Sequence, residues 1–316
     1  MPLVATITLQ PSAVASLVGY LVLIAAAAYA GGSSVAFLSL GHRRMQVLLS
    51  LTAGVMLGVG LLHLLPHAYL ELSGRIDTTM AWVLAGFFFM FLLERAFHGH
   101  AHHSADGSHA CGHDHQHGHD HAADHGHAAD HGRTHGIATG TAPWAWCGAF
   151  AGLALHSLAD GAALAASVGA DGGHGPGLLA GFATFLAVVL HKPFDSAIIA
   201  TLMASGGAAP QTRKIANAAY ALIVPLGAML FLASLRLFES NSNTTLGAAL
   251  ALAAGAFLCI AAADLLPEVE FHSHDRLLLT AALTLGIAIA WGVAAVERSS
   301  HAHALHSGVA HGHTHD

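Results

Sequence analysis

Long apolar runs separated by short polar stretches set the pattern of this chain. They can be placed at Ala13–Leu40, Val47–Leu70, Thr78–Phe97, Pro143–Ala170, Gly177–Ala204, Ile215–Phe238, Thr245–Val269 and Leu277–Val296. Each run is about 20 residues or longer, the length a helix needs to cross a hydrocarbon core of roughly 30 Å. Strict apolar and polar alternation, which a membrane barrel requires, is missing from them. The pattern therefore predicts an all-α polytopic membrane protein with eight spans. The first run lacks a basic start and a small-residue cleavage site, so it is read as a retained span rather than a signal peptide.

Composition sharpens this picture. Of 316 residues, 54% are hydrophobic and 9% charged, far below the roughly 25% charged residues of a soluble domain. The formal net charge is -7, and no polybasic stretch points to nucleic acid. Cys111, Cys147 and Cys259 are isolated in sequence and suggest neither a thiolate metal site nor a disulfide framework. The unusual number is 28 histidines.

Many of those histidines lie between the third and fourth runs. The organisation read from the chain is spans 1–3 over residues 1–97, a His-rich loop over 98–142, spans 4 and 5 over 143–205, spans 6–8 over 206–298, and a His-rich tail over 299–316. Basic residues favour cytoplasmic loops. Arg43, Arg44, Arg95, Arg133, Arg213, Lys214 and Arg276 fall on one face, against Arg75, Arg236 and Arg298 on the other. Both termini are thus expected outside the cytoplasm, in a cell (inner or plasma) membrane, with the long loop inside. That loop, through His113, His115, His117, His119 and His121, has no apolar residues to build a core and is expected to be disordered without metal. Its imidazoles suit capture of zinc, copper or nickel.

An internal repeat links the two halves. Ala53-Gly54-Val55-Met56-Leu57 precedes His63-Leu64-Leu65-Pro66-His67, and Ala254-Gly255-Ala256-Phe257-Leu258 precedes Asp264-Leu265-Leu266-Pro267-Glu268 at the same spacing. With opposite directions through the bilayer, they form an inverted pair of the kind found in secondary transporters, spans 1–3 against 6–8 around spans 4 and 5. His63, His67, Asp264 and Glu268 are accordingly candidate residues of an entrance and an exit.

The densest chemistry sits mid-span. An ionisable residue within a bilayer costs about 2.5 to 3.5 kcal/mol on insertion scales, so a cluster asks for a functional reason. His156 and Asp160 on the fourth run and His191 and Asp195 on the fifth share a His-x-x-x-Asp spacing, which puts each pair on one helix face. Two nitrogens and two carboxylates suit tetrahedral zinc and cancel its charge. Pro193 frees the carbonyl of Val189 beside these ligands. Gly161 and Ser167 on the fourth span, with Ser196 and Thr201 on the fifth, are expected to let those two spans pack closely or hydrogen-bond to each other. Lys192 can reach Asp195 and hold it until metal arrives.

These residues resemble the ZIP (Zrt/Irt-like) metal transporters over nearly the whole chain. His156-Ser157-Leu158-Ala159-Asp160-Gly161 is similar to the family's His-Asn-x-x-Asp/Glu-Gly, and His191-Lys192-Pro193-Phe194-Asp195 to its His-Glu-x-x-x motif. The eight spans, outside termini, His-rich third loop and Leu-Leu-Pro stretches resemble the family too. The resemblance implies uptake of zinc toward the cytoplasm by alternating access, with cadmium, iron and manganese as further substrates. A homodimer is a candidate assembly. Ser157 and Lys192 depart from the family's pattern at positions that modulate the site, and Lys192 argues against a binuclear centre.

Three other readings compete. A zinc-dependent intramembrane hydrolase would use similar ligands but needs an open coordination position and a general base, and no His-Glu-x-x-His occurs. A metal sensor would use the His tracts without transport. An exporter would use the same site in the other direction.

Overall fold

The computed structural model describes residues 10–34, 42–102, 145–172, 179–237, 242–262 and 276–310. Among them the chain is helical, without strands. The helices are α1 Pro11–Ser34, α2 His42–Val59, α3 Leu65–Glu71, α4 Ile76–His102 and α5 Ala145–Gly172. They continue with α6 Phe182–Ser205, α7 Pro210–Ala221, α8 Ile223–Leu237, α9 Ser242–Ile260 and α10 Arg276–Ala310. Eight stretches of the described residues are long and apolar enough to cross a membrane. α2 and α3 together make the second and α7 and α8 the sixth. Leu84, Phe88 and Leu92 on α4, Leu226, Met229 and Leu230 on α8, and Leu285 and Ile289 on α10 are exposed. In water such a belt would drive association, whereas lipid is its proper solvent.

Several spans differ from the pattern-based expectation. The second contains a π-helical turn at Gly60–Leu64, where the Leu65 N–H donates to the Gly60 carbonyl. Pro66 follows directly and has no N–H to give, which favours a local rearrangement of the hydrogen-bond ladder. The seventh span enters the same kind of turn at Ala261 and Ala262. The sixth begins at Pro210, earlier than Ile215, because proline is well suited to the first turn of a helix. It is interrupted at Leu222, three residues before Pro225, which has no N–H to donate to the Ala221 carbonyl. The third span, α4, runs past Phe97 to His102. The last runs past Val296 to Ala310, so residues 299–310 of the expected tail are helical.

Small residues decide how the spans meet. The principal pairings are α1 with α6, α2 with α10, α4 with α9 and α5 with α8. Gly54 of α2 lies against the Leu283 carbonyl of α10, and Gly286 of α10 against the Leu51 carbonyl of α2. Gly255 of α9 faces the Val83 carbonyl of α4, and Gly86 of α4 faces the Leu252 carbonyl. Helix association in lipid rests on such close backbone approach rather than on hydrophobic burial. Gly54→Leu should therefore lower thermal stability in detergent by about 1–3 kcal/mol or more through overpacking. Gly19→Leu, at an exposed glycine with nothing within 4 Å, should leave the transition where it is.

Gly161 and three polar residues behave differently from expectation. Gly161 packs against Val224 and Ala228 of α8, not against the fifth span. Ser196 and Thr201 hydroxyls donate to carbonyls of their own helix, at Lys192 and Ala197, as hydroxyls in apolar helices commonly do. Ser167 alone makes the expected link, accepting from Thr184 of α6 at 2.9 Å.

Candidate metal centre

The Ala-rich fourth span and the Pro193-containing fifth bring His156, Asp160, His191 and Asp195 to one point. One ligand atom from each lies within 4.8 Å of the others. Three of them are buried and Asp195 is partly buried. His156 Nε2 is 3.3 Å from Asp160 Oδ2 and 3.6 Å from Asp195 Oδ2. His191 Nε2 is 3.2 and 3.9 Å from the same two atoms. The His191 ring is fixed by its other nitrogen, with Nδ1–H donating to the Ala187 carbonyl at 2.8 Å. That leaves Nε2, hydrogen-bonded to Asp160 Oδ2 at 3.2 Å, as the nitrogen the ring would offer a metal once it is free of a proton. His156 Nδ1 is buried without a partner among the described residues, so only the ligand edge of that ring is anchored.

Lys192 does more than the sequence suggests. Its ammonium lies 3.0 Å from Asp195, as expected, and also 2.5 Å from Asp160. It is completely buried and bridges both carboxylates at the centre of the quartet. Such charge-assisted contacts are the strong class of hydrogen bond. The protein's own cation thus occupies the position from which it can neutralise both acids.

Tyr220, near the end of α7, was not foreseen. Its hydroxyl donates to Asp195 at 3.3 Å and accepts from Ser157 at 2.9 Å. Ser157 is therefore linked to Asp195 through Tyr220. The sequence held little signal for it, because the apolar run begins at Ile215 and leaves Tyr220 near one end, where membrane tyrosines are ordinary. Asn217, one turn earlier, ties the same helix to α1 by donating to the Tyr29 carbonyl at 2.9 Å.

His63 and His67 stand away from the quartet, on and just after the π-helical turn. Their partner is Asp171, in the last turn of α5, which the sequence reading passed over although it lies eleven residues beyond Asp160 and so returns to the same face after three turns. His67 Nε2 is 3.3 Å from Asp171 Oδ1 and His63 Nε2 is 3.6 Å from Oδ2. Asp264, Glu268 and the loop histidines His113, His115, His117, His119 and His121 lie outside the described residues.

The sequence model of the ZIP zinc transporters matches residues 13–294. The chain belongs to the ZIP zinc transporter family. No curated protein matches it. Membership makes this ZIP protein a transporter of divalent metal, and the two His/Asp groups have donor sets that fit such an ion.

Proposed function

We propose that this ZIP protein carries zinc toward the cytoplasm by alternating access, through His156, Asp160, His191 and Asp195. The observation that carries this reading is the convergence of four buried or half-buried ligand atoms within 4.8 Å in the middle of two spans. Two imidazoles and two carboxylates suit zinc's preference for four mixed nitrogen and oxygen ligands and offset its double charge. Cadmium, close in coordination chemistry, is the next substrate. Iron and manganese follow, since oxygen-rich sites suit manganese better.

Alternating access needs two related halves, and helix packing supports this. In the register that aligns Ala53 with Ala254, Gly54 corresponds to Gly255 and Leu51 to Leu252. The second span's crossing on the eighth and the seventh's on the third therefore use corresponding glycines and carbonyls. On the Arg213 side, Met203, Asn217 and Tyr220 line a crevice with no room for a water molecule, so in this reading access from that end requires the helices to move apart beside Tyr220, which touches Asp195. The excess of basic residues at that end supports reading it as the cytoplasmic one.

Zinc flux into proteoliposomes, with the two protein orientations separated by a sided inhibitor or sided labelling, tests site and direction together. Uptake toward the Arg213 face is the expected result, and flux in the other direction alone would make the protein an exporter. Deleting residues 103–135 should leave the transport step intact. It should shift the response to metal load, because the tract's imidazoles lie outside the spans and bind borderline cations. Flux measured over a range of zinc concentrations checks this: loss of transport at all concentrations by a well-inserted deletion would place the tract on the path.

A further inference from the structure

Eleven residues along α5 from Asp160, a second group of donors converges. His63 Nε2, His67 Nε2 and an Asp171 carboxylate oxygen lie within 4.8 Å of one another. His63 and Asp171 are buried and His67 is 21% exposed, so the cluster is built into the protein yet reachable at one side. We infer that His63, His67 and Asp171 form a second divalent-metal site, an open one that takes a borderline cation such as zinc before or after the central quartet.

The ligand state is prepared by neighbouring hydroxyls. Thr184 donates to Ser167 at 2.9 Å, and Ser167 stands 3.0 Å from His63 Nε2. With Thr184 donating to it, Ser167 has its own proton to give to that nitrogen, which holds His63 in the tautomer whose Nε2 lone pair a metal would take over from the hydroxyl. Asp171 is positioned by the turn between the fourth and fifth spans, where the Gly181 N–H donates to its Oδ2 at 2.7 Å. Gly181 has φ of 74°, a conformation that glycine adopts without strain. Three protein ligands leave a coordination position for water, the arrangement of an exchanging zinc site rather than a closed structural one. One carboxylate here against two in the quartet makes this site the weaker of the two.

Placement ties the two sites together. Ser167 lies seven residues from Asp160 on α5, and Thr184 seven from His191 on α6. Each spacing is two turns, about 10 Å along one helix face. The Ser167–Thr184 pair thus stands between the triad and the quartet. This second part of the inference, a place on the transport path, rests on the function proposed above; the metal site itself does not.

The full chain with His67→Cys, in proteoliposomes, separates the two. Mass spectrometry of the peptide that contains the introduced thiol follows its alkylation by a polar maleimide, so Cys111, Cys147 and Cys259 do not interfere. Zinc should slow that alkylation at least about tenfold, because a metal-bound thiolate is withdrawn from reaction. Magnesium should not, since it prefers oxygen ligands. Protection should survive when Asp160→Asn and Asp195→Asn are added, and vanish when Asp171→Asn is added instead. The amide of Asp171→Asn keeps an acceptor for the Gly181 N–H, so the turn remains tied. Equal alkylation with and without zinc, protection independent of Asp171, or protection lost with the quartet would each overturn the second site. If protection persists while the quartet variant still transports zinc at the wild-type rate, the triad stands and the central reading falls.

Discussion

Zinc flux is expected to vanish when Asp160→Asn is combined with Asp195→Asn, while the protein still inserts. The two carboxylates supply all the negative charge of the quartet, and their oxygens lie 3.2 to 3.9 Å from the two imidazole nitrogens. Amides keep the shape but cannot offset a dehydrated divalent cation. Leaving a buried charge without its partner costs about 3–5 kcal/mol, so each single variant should lose two or more powers of ten in affinity. The double variant also strands the Lys192 ammonium, which makes misfolding a competing cause of lost flux. Adding Lys192→Met removes that stranded charge with an apolar side chain of similar length. The triple variant should therefore insert and run as a monodisperse species in detergent, yet remain inactive. Wild-type flux in either variant would rule out this quartet as the path.

Apolar run length was enough to find the spans, and the His-x-x-x-Asp spacing pointed to the four side chains that two of them bring together. Both depend on local periodicity, which a chain carries openly. What periodicity does not carry is the partner across the bundle. Tyr220 reaches Asp195 from another span, and Asp171 joins His63 and His67 from over a hundred residues away. Gly161 was assigned to the wrong neighbour for the same reason: a small residue announces a close approach but not to which helix. The helix ends failed in a different way. Pro66 and Pro225 left the spans continuous but changed their hydrogen bonding, giving a π-helical turn in one and an interruption in the other. Lys192 was read through its i+3 neighbour alone, so its contact with Asp160 on the adjoining helix was missed.

That second contact gives Lys192 the role with the sharpest consequence. In the absence of metal its ammonium bridges two buried carboxylates, leaving one net negative charge on the three groups. A zinc ion among the same ligands would change the balance to one net positive charge with Lys192 in place, and to zero without it. At about 4 Å and an effective dielectric near 20, a divalent ion and an ammonium repel by about 8 kcal/mol, so the ammonium must swing away as metal binds. Lys192→Ala should accordingly tighten zinc binding at the quartet and lower the stability of the metal-free protein, because two carboxylates are then buried without a cation. Thermal unfolding in detergent reads both effects at once: the metal-free transition falls, and zinc raises it by more than in wild type. Transport should slow in this variant despite tighter binding, since an ion must leave the site as readily as it enters. Lys192→Glu should go further and admit a second ion, which zinc stoichiometry by calorimetry, compared with wild type, would register as one additional metal. Weaker zinc binding by Lys192→Ala, or a wild-type quartet that already holds two ions, would show that Lys192 is a ligand-positioning residue rather than a competitor for the metal.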